Sequence, residues 1–398
     1  MKILIISQHF WPENFRINDL AKKLNENNSV TVLTGLPNYP NGTLYEEFKK
    51  NKKSFNNYFG IKILRIPIIL RGRGFFKLFL NYLSFILSAS SLVILKLRKE
   101  KYDKIFFFGS TPLTSCYPAI LLSKLTKTEL YIWLVDFWPD SLFQFSFFKL
   151  NIIQKILKFF TKKKYHSFNK IFVQSEHFIE LLHRDYKFPK EKIVYLPSWT
   201  EKSYVNNEII YNKKKYIRIV FAGNLGIAQN IPEFIKKIKF IKNTNIKFFF
   251  IGDGSRKVEI KKLIKAKNLE NNIFIVKSYP NTKMPKILKF ADFLLLILKN
   301  QHPLNITLPG KFQNYLGLAK PVISISNYAT EKIINENKLG FSLNIEELNH
   351  KNFINKIESI MYKKDLYCSI SSNSLNYSKT NFSEESVLNK LILEMKND

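Results

Sequence analysis

The chain has few of the residues that build metal centres and disulfide frameworks. Two cysteines and six histidines occur in 398 residues. Cys116 and Cys368 lie far apart and match no metal-binding or redox spacing. No histidine, cysteine or carboxylate cluster offers a set of metal ligands. We therefore expect a reducing compartment, no disulfide and no bound metal.

Acidic residues are also scarce. The sequence has 31 of them against 63 lysines and arginines, which gives a net charge of +32. Such a charge fits either a nucleic acid or an anionic membrane surface as partner. The lysines are spread through every segment, and no basic motif with interleaved base-stacking aromatics occurs. We therefore expect no nucleic-acid partner.

The amino-terminal apolar stretch is too short for the core of a signal peptide. It runs from Met1 to Ser7 and is followed at once by Gln8, His9 and Pro12. This pattern favours a cytoplasmic protein.

One longer apolar run and one amphipathic segment favour contact with a membrane surface. The run Phe75 to Leu95 is about long enough to span a bilayer, but Lys77, Asn81 and several serines dilute it. An interfacial or core helix is therefore favoured over a spanning one. The segment Ile152 to Tyr165 is basic and amphipathic, although an ordinary solvated helix would show the same pattern. Basic residues flank the first run: Arg71, Arg73, Lys96, Arg98 and Lys99. We expect a peripheral protein on the inner face of the cytoplasmic membrane.

Strand and helix patterns alternate along the chain, which predicts an α/β fold with parallel sheets. Two domains are expected from the length. The first spans 1–198, the second 199–380, and a C-terminal helix occupies 381–398, with a polar linker from Pro197 to Lys215. The predicted strands are Lys2–Ile6, Val30–Thr34, Lys62–Ile66, Lys104–Phe108, Leu130–Val135, Lys170–Val173, Lys192–Leu196, Ile217–Ala222, Lys247–Ile251, Ile273–Lys277, Phe293–Ile297, Pro321–Ile325 and Gly340–Leu343.

The stretch IRIVFAGNLGIAQNIPEFIKKI, residues 217–238, predicts a strand, a glycine turn and a helix. Free N–H groups of a glycine turn and the positive end of a helix dipole together attract phosphate. Because the motif lies in the middle of the chain, it suggests a nucleotide held by the second domain.

Six motifs in fixed order carry a resemblance that covers nearly the whole chain. They are MKILIISQHFWPENFRINDLAKKL, TGLPNYPNG, LVDFWPDS, FAGNLGIAQ, IGDG and LPGKFQNYLGLAKPV. Together they resemble family 4 glycosyltransferases of the GT-B fold, most closely the bacterial branch that builds O-antigen, capsule or colanic acid and includes N-acetyl-L-fucosamine transferases. The resemblance implies two Rossmann-like, doubly wound parallel-sheet domains that face a cleft.

A nucleotide sugar is the donor that the resemblance implies, with a UDP carrier and an N-acetylated deoxyhexosamine as the expected form. The glycine turn would hold the diphosphate through backbone N–H groups, and Lys311 would add a cation at a helix start. Asp253 could contact the nucleotide or cap a turn. The expected donor-binding residues are Gly223, Asn224, Leu225, Gly226, Gln229, Asp253, Lys311 and Asn314.

The family pattern is broken at four of the motif positions. Many relatives carry an arginine and a lysine where this chain has Asn224 and Gln229. Relatives also carry two glutamates eight positions apart, and here those positions hold Ile306 and Asn314. Asn314 can still hydrogen-bond a hydroxyl, whereas Ile306 cannot.

The first domain is expected to bind the acceptor, a polyprenyl-diphosphate-linked saccharide. Asp136, at the end of a predicted strand, is the expected polar group at the reaction centre, with an N-cap as the alternative. A hydrolase that pairs Asp136 with Asp140 is not favoured, since both lie on one short segment. Glu13, Asn14 and Arg16 are expected at the acceptor, and a helix-start salt bridge is the alternative role of Arg16.

The resemblance implies transfer with retention of anomeric configuration, without a metal or other cofactor, in surface polysaccharide synthesis. No dedicated nucleophile is expected, because the departing phosphate oxygen helps to deprotonate the acceptor. Two alternatives stay open at this point. One is a GT-B sugar-nucleotide epimerase or hydrolase, and the other is a basic protein that binds membranes or nucleic acid.

Overall fold

Strands and helices alternate through both halves of the chain. The computed structural model describes residues 1–72, 74–110, 112–143, 150–211 and 215–396, so that Arg73, one of the predicted flanking cations, lies outside the described residues. The chain divides into two units, one of Met1–Leu196 with Lys390–Asp398 and the other of Pro197–Asn389.

The first unit contains an eight-stranded sheet in the order β3-β4-β2-β1-β5-β6-β7-β8. Neighbouring strands are parallel except for the β3–β4 pair. The strands are β1 Lys2–Ile6, β2 Ser29–Thr34, β3 Asn57–Tyr58, β4 Ile61–Arg65, β5 Lys104–Gly109, β6 Glu129–Leu134, β7 Lys170–Val173 and β8 Ile193–Tyr195. The central strands are buried along their whole length, as continuous apolar runs require.

The second unit contains a six-stranded, all-parallel sheet in the order β11-β10-β9-β12-β13-β14. Its strands are β9 Ile217–Ala222, β10 Ile246–Ile251, β11 Ile273–Val276, β12 Phe293–Ile297, β13 Val322–Ile325 and β14 Gly340–Leu343. Two apolar clusters pack on this sheet, one centred on Phe248 and Phe353 and the other on Leu294 and Phe312.

Helices join the strands in both units. They are α1 Arg16–Asn25, α2 Glu46–Lys50, α3 Phe75–Leu95, α4 Tyr117–Thr126, α5 Asn151–Tyr165, α6 His177–Tyr186, α7 Ile231–Lys237, α8 Lys257–Ala266, α9 Met284–Leu288, α10 Gly310–Gly317, α11 Tyr328–Glu336, α12 Asn355–Met361, α13 Lys364–Asn381 and α14 Glu384–Lys396.

The predicted fold class is confirmed, and each predicted strand has a counterpart whose ends differ by no more than one residue. The short strand β3 was not predicted. It consists of Asn57 and Tyr58 alone, pairs antiparallel at the sheet edge and buries neither residue fully. Without a run of apolar residues, such a strand has no periodic signal.

The segment predicted as a linker instead packs within the second unit. The N–H of Thr200 donates to the carbonyl of Phe382 at 2.9 Å, and the N–H of Asn206 donates to Gly317 at 2.8 Å. Trp199 and Tyr204 are buried. The polar, lysine-rich composition of the segment did not indicate these contacts. A few buried aromatic side chains are enough to hold such an irregular segment in place.

A C-terminal helix was predicted within 381–398, and α14 occupies Glu384–Lys396. Helix α14 begins in the second unit, and its residues from Lys390 onward belong to the first. Lys170, at the start of β7, reaches Glu394 with its ammonium 3.0 Å from the carboxylate. This ion pair fixes the end of the helix on the first unit.

A largely buried ion pair joins Arg218, the second residue of β9, to Asp292, the residue just before β12. Arg218 donates through Nη2 to Asp292 Oδ1 at 2.7 Å and through Nε to Oδ2 at 3.0 Å, and its backbone N–H also reaches Oδ2 at 2.8 Å. Little of either side chain is exposed.

We expect Asp292→Ala to destabilise the second unit by about 3–5 kcal/mol, because the buried guanidinium loses its only described carboxylate. Urea unfolding measures the change. Glu233→Ala removes an exposed ion pair with Lys236 as the control, and its effect should stay below about 1 kcal/mol. Equal losses in the two variants would contradict the assigned role of the buried pair.

Candidate functional site

Two glycine-containing loops follow the neighbouring strands β9 and β10 and pack backbone against backbone. The N–H of Leu225 donates to the carbonyl of Asp253 at 2.8 Å. Gly252 has a φ of +153°, and a Cβ there would lie 1.9 Å from the carbonyl oxygen of Gly223. Only glycine fits this position, for both reasons. The glycines of the FAGNLG and IGDG motifs thus serve the approach of two loops.

This packing corrects the prediction that the amides of the Gly223–Gly226 turn form a phosphate seat. The N–H groups of Gly223 and Leu225 donate to the carbonyls of Ile251 and Asp253, and that of Gly226 donates to Oε1 of Gln229. Of the four, only the N–H of Asn224 has no acceptor among the described residues. The side chain of Gln229 therefore caps the short helical turn Ile227–Gln229. This turn lies between Gly226 and the start of α7.

Lys311 supplies the positive charge at this sheet edge. It is the second residue of α10, and its Nζ lies 3.8 Å from the centroid of the buried Phe221 ring. A Cβ on Gly223 would lie 2.8 Å from the same Nζ, so the missing side chain makes room for the ammonium. Burial lowers the pKa of Lys311 to about 7. No carboxylate of the described residues pairs with it, and this suits the position for a phosphate.

Two other predicted donor residues already have partners inside the second unit. Asp253 accepts from the N–H of Gly254 at 2.8 Å and pairs with Lys257 at 2.9 Å, and the hydrogen bond from Lys257 lowers its pKa. This is the alternative role of a turn cap. Asn314 accepts from the N–H of Glu201 and donates to its carboxylate, so its amide holds the segment before β9.

The segment between β12 and α10 contains a polar group that sequence reasoning missed. Asn305 Oδ1 is buried and lacks a hydrogen-bond donor among the described residues, while its amide nitrogen donates to Asn300 at 3.1 Å. Asn327, after β13, fixes this segment by donating to the carbonyls of Leu304 and Thr307. The only sequence signal was that Asn305 adjoins Ile306, the position where relatives carry a glutamate.

In the first unit, Glu13 is a buried residue whose carboxylate holds two loops together. It is 1% exposed. One carboxylate oxygen accepts from the N–H groups of Asn38 and Tyr39, both at 2.6 Å, and the other lies 2.8 Å from Nδ1 of His9. These contacts join the loops that follow β1 and β2. Both oxygens are therefore occupied, whereas the sequence suggested that Glu13 contacts the acceptor.

His9, the partner of Glu13, is also buried. It is 5% exposed and stacks on Phe15 with ring centroids 5.1 Å apart and planes 12° apart. Tyr39 contacts the same ring. The His9–Glu13 spacing of four residues was visible in the sequence, but nothing there indicated that both are buried.

The remaining predicted residues of the first unit lie at strand or helix ends. Asn14 is exposed, and Arg16 lies 3.9 Å from Asp19 in the first turn of α1, which is the salt bridge of its alternative role. Asp136 is exposed two residues beyond the end of β6. Asp140 is buried and accepts from the hydroxyl of Tyr186 at 2.9 Å, so it does not form a carboxylate pair of the kind a hydrolase needs.

The described residues contain no group of three or more histidine, cysteine, aspartate or glutamate side chains that could hold a metal ion.

Comparison with known proteins identifies the type of enzyme. Residues 206–376 match the family described as Glycosyl transferases group 1. The chain is 22% identical over 353 residues to the protein named as the colanic acid biosynthesis glycosyl transferase WcaI of Escherichia coli (strain K12), which covers 83% of this chain and 84% of that protein. It is 28% identical over 177 residues to the poly(ribitol-phosphate) alpha-N-acetylglucosaminyltransferase of Staphylococcus aureus (strain COL), 44% of this chain and 33% of that protein.

The chain is a glycosyltransferase. The crystal structure of Anabaena HepE in complex with UDP covers all of both chains with a TM-score of 0.71 at 13% identity, which supports the GT-B fold. The matched residues include the Gly223–Gly226 turn and Lys311. The alternatives of an epimerase, a hydrolase and a non-enzymatic binding protein therefore give way to a transferase.

Replacing Glu13 tests its supporting role. We expect Glu13→Ala to destabilise the first unit by about 2–5 kcal/mol, because the N–H groups of Asn38 and Tyr39 and the ring of His9 lose their partner. Denaturant unfolding followed by tryptophan fluorescence reports mainly on this unit, which contains three of the four tryptophans. Asn14→Ala, at the exposed neighbour, should change stability by no more than about 0.5 kcal/mol. A similar small change for both variants would contradict the assignment.

The pKa of Lys311 gives a second prediction. Its folded value of about 7 lies below the value of about 10.4 for an unfolded lysine, so the unfolded chain binds more protons between these two pH values. Charging Lys311 thus opposes folding most at pH 7 and below, and this effect fades as pH rises towards 10. Lys311→Met should raise the melting temperature most at pH 6, with the difference shrinking towards pH 10. Calorimetric curves that stay parallel across this range would contradict the desolvated ammonium.

Proposed function

We propose that this glycosyltransferase moves a sugar from a UDP-linked donor to a polyprenyl-diphosphate-linked saccharide during surface polysaccharide synthesis. Transfer retains the anomeric configuration, and the donor sugar is an N-acetylated deoxyhexosamine, as in the N-acetyl-L-fucosamine transferase branch. The enzyme acts at the cytoplasmic face of the membrane. The ammonium of Lys311, which lies over Phe221 and has no carboxylate partner among the described residues, is the observation that carries the proposal.

Lys311 has the chemistry that a departing nucleoside diphosphate requires. Negative charge develops on the phosphate oxygens as the sugar–phosphate bond breaks, and a fixed cation in a poorly solvated position stabilises that charge strongly. A bound diphosphate in turn favours the protonated form of the lysine. The N–H of Asn224, which has no acceptor among the described residues, and Oδ1 of Asn305 are the further polar groups that the neighbouring loops offer to a donor.

The relatives support the choice of donor and pathway. Anabaena HepE is described in complex with UDP and with UDP-glucose. The two curated relatives are named for colanic acid biosynthesis and for transfer of N-acetylglucosamine to poly(ribitol phosphate). Uridine nucleotides, an N-acetylated sugar and a surface polymer are thus the chemistry of the proteins that this chain resembles.

In the first unit, we assign Asp136 to the reaction centre and Asn14 and Arg16 to the acceptor. Asp136 and Asn14 are exposed at loops that follow β6 and β1, the strand ends at which ligands bind in doubly wound folds. Arg16 can bind a diphosphate through its guanidinium. The buried carboxylate of Glu13 holds the loop after β1 against the loop after β2. The reaction is proposed to need no divalent metal.

Nucleotide binding tests the donor site. We expect UDP to bind more tightly than GDP or ADP in isothermal titration calorimetry. Lys311→Ala should weaken UDP binding about 10- to 100-fold, because it removes a charge-assisted contact. Above about pH 7 the affinity of the wild type should fall, approaching tenfold per pH unit, as Lys311 loses its proton.

The control for this titration is Lys257→Ala, which removes a lysine that pairs with Asp253 in the same unit. Its UDP affinity should equal that of the wild type at each pH. Unchanged binding in Lys311→Ala, or no nucleotide binding at all, would contradict the donor site. Transfer is then tested with UDP-linked N-acetylated deoxyhexosamines and a lipid-linked acceptor, in the presence of EDTA. Failure to release UDP from any of them would contradict the proposed reaction.

A further inference from the structure

Three helices of the first unit form one layer on the same side of its sheet. Helices α3, α4 and α5 connect β4 to β5, β5 to β6 and β6 to β7, and each connection advances in the same direction along the sheet. Right-handed crossovers place such helices on one side. The contacts agree, since α3 packs on α4, and Nζ of Lys164 near the end of α5 lies 5.1 Å from the ring of Tyr117 at the start of α4.

The inner side of α3 is anchored on the unit by polar and apolar contacts. Asn81 is fully buried, accepts from Nε2 of Gln8 at 2.8 Å and donates to the carbonyl of Ile69 at 2.6 Å. Phe85, Ala89 and Val93 continue the buried stripe along the helix. The sequence suggested that Asn81 merely dilutes an apolar run, whereas it is the contact that orients the helix.

The outer side of α3 exposes large apolar side chains to solvent. Phe75 and Phe76 are 71% and 69% exposed. The other exposed apolar residues of this helix are Phe79, Leu83, Leu87, Ile94 and Leu95. An exposed apolar stripe of this length is rare on a soluble monomer and marks a contact surface.

Helix α5 shows a second stripe of the same kind. Ile152 and Phe159 are 64% and 56% exposed, and Ile156 and Phe160 are also exposed. Lysines lie among these residues, and Nζ of Lys163 lies 4.6 Å from the ring of Phe159. Neither 75–99 nor 150–165 contains an aspartate or glutamate. Exposed rings flanked by lysines, without any acidic residue, are the pattern of a helix that lies in an anionic bilayer surface.

We propose that this basic apolar face, formed by the exposed residues of α3 and α5 named above, binds the surface of a bilayer that contains anionic lipid. Both helices lie in the plane of the headgroups and do not cross the bilayer. This inference deepens the proposed function and rests on it. Binding to the bilayer would keep the enzyme where lipid-linked acceptors are found.

The contacts that anchor α3 on the first unit favour an interfacial position of this helix over a membrane-spanning one. By length and composition alone, Phe75–Lys99 could cross a membrane. A spanning helix would lose the Asn81 hydrogen bonds and would remove Phe85, Ala89 and Val93 from the unit, which leaves polar groups of Gln8 and Ile69 without these partners. An in-plane helix keeps every one of these contacts.

Binding of the full chain to vesicles tests the face. Sedimentation with vesicles of phosphatidylcholine and phosphatidylglycerol in a 3:1 ratio should pellet the wild type, and vesicles of phosphatidylcholine alone should bind it at least about tenfold more weakly. Lys155→Gln with Lys163→Gln should lower affinity about fivefold per lysine. Phe76→Ser with Phe79→Ser, and separately Ile152→Ser with Phe159→Ser, should each lower it at least about tenfold.

The matched control is Val258→Ser with Leu366→Ser, which removes exposed apolar residues from the second unit. Its vesicle binding should equal that of the wild type. A UDP titration of every variant reports folding and the donor site separately, so failure of the face and failure of the proposed donor are distinguishable. Equal binding by all variants, or no preference for anionic lipid, would overturn the proposal.

Two other outcomes would also overturn it. Retention of the wild type in bilayers at alkaline pH in sodium carbonate would indicate a spanning helix. A dimer in solution that dissociates in Phe76→Ser with Phe79→Ser, without a change in vesicle binding, would assign the face to a second copy of the chain.

Discussion

A desolvated ammonium group that has no carboxylate partner among the described residues is the constraint around which the candidate donor site is arranged. Lys311 lies over the ring of Phe221 and beside the bare backbone of Gly223, and burial lowers its pKa to about 7. A side chain at Gly223 would displace it. Folding alone gains nothing from this arrangement, because the charged group loses water and meets no opposite charge in the part of the chain that the structure describes. The stability of the second unit comes from elsewhere, from an all-parallel buried sheet and the Arg218–Asp292 pair.

The fold could be predicted from the sequence because both sheets consist mainly of short, predominantly apolar runs. Such runs need burial on both sides, and alternation with helical patterns then requires parallel strands. Even the strand ends agree closely. The exceptions are segments whose position depends on a few tertiary contacts. The two-residue strand β3 and the segment before β9 have no periodic pattern, and only Trp199, Tyr204 and their neighbours hold the latter in place.

The site was less predictable, for a reason that Gly252 illustrates. A glycine shows that the backbone must come close to something, but the sequence cannot say whether that partner is a phosphate or another loop. Here it is the carbonyl of Gly223. The same holds for polar residues. The side chains of Asn314, Gln229 and Glu13 could bind a ligand, but their oxygens accept hydrogen bonds from backbone N–H groups of the protein. For Lys311, the place near a helix start could be predicted from the sequence, whereas its role at the donor stays a prediction.

Competitive acylation of the native protein tests the central claim about Lys311 most directly. A small acylating reagent is applied at a series of pH values with and without UDP, and mass spectrometry reports the modification of each lysine. Lys311 should titrate with a pKa near 7, well below the other lysines, and UDP should suppress its modification. An ordinary lysine pKa for Lys311, or modification that UDP leaves unchanged, would contradict a desolvated cation that holds the donor diphosphate.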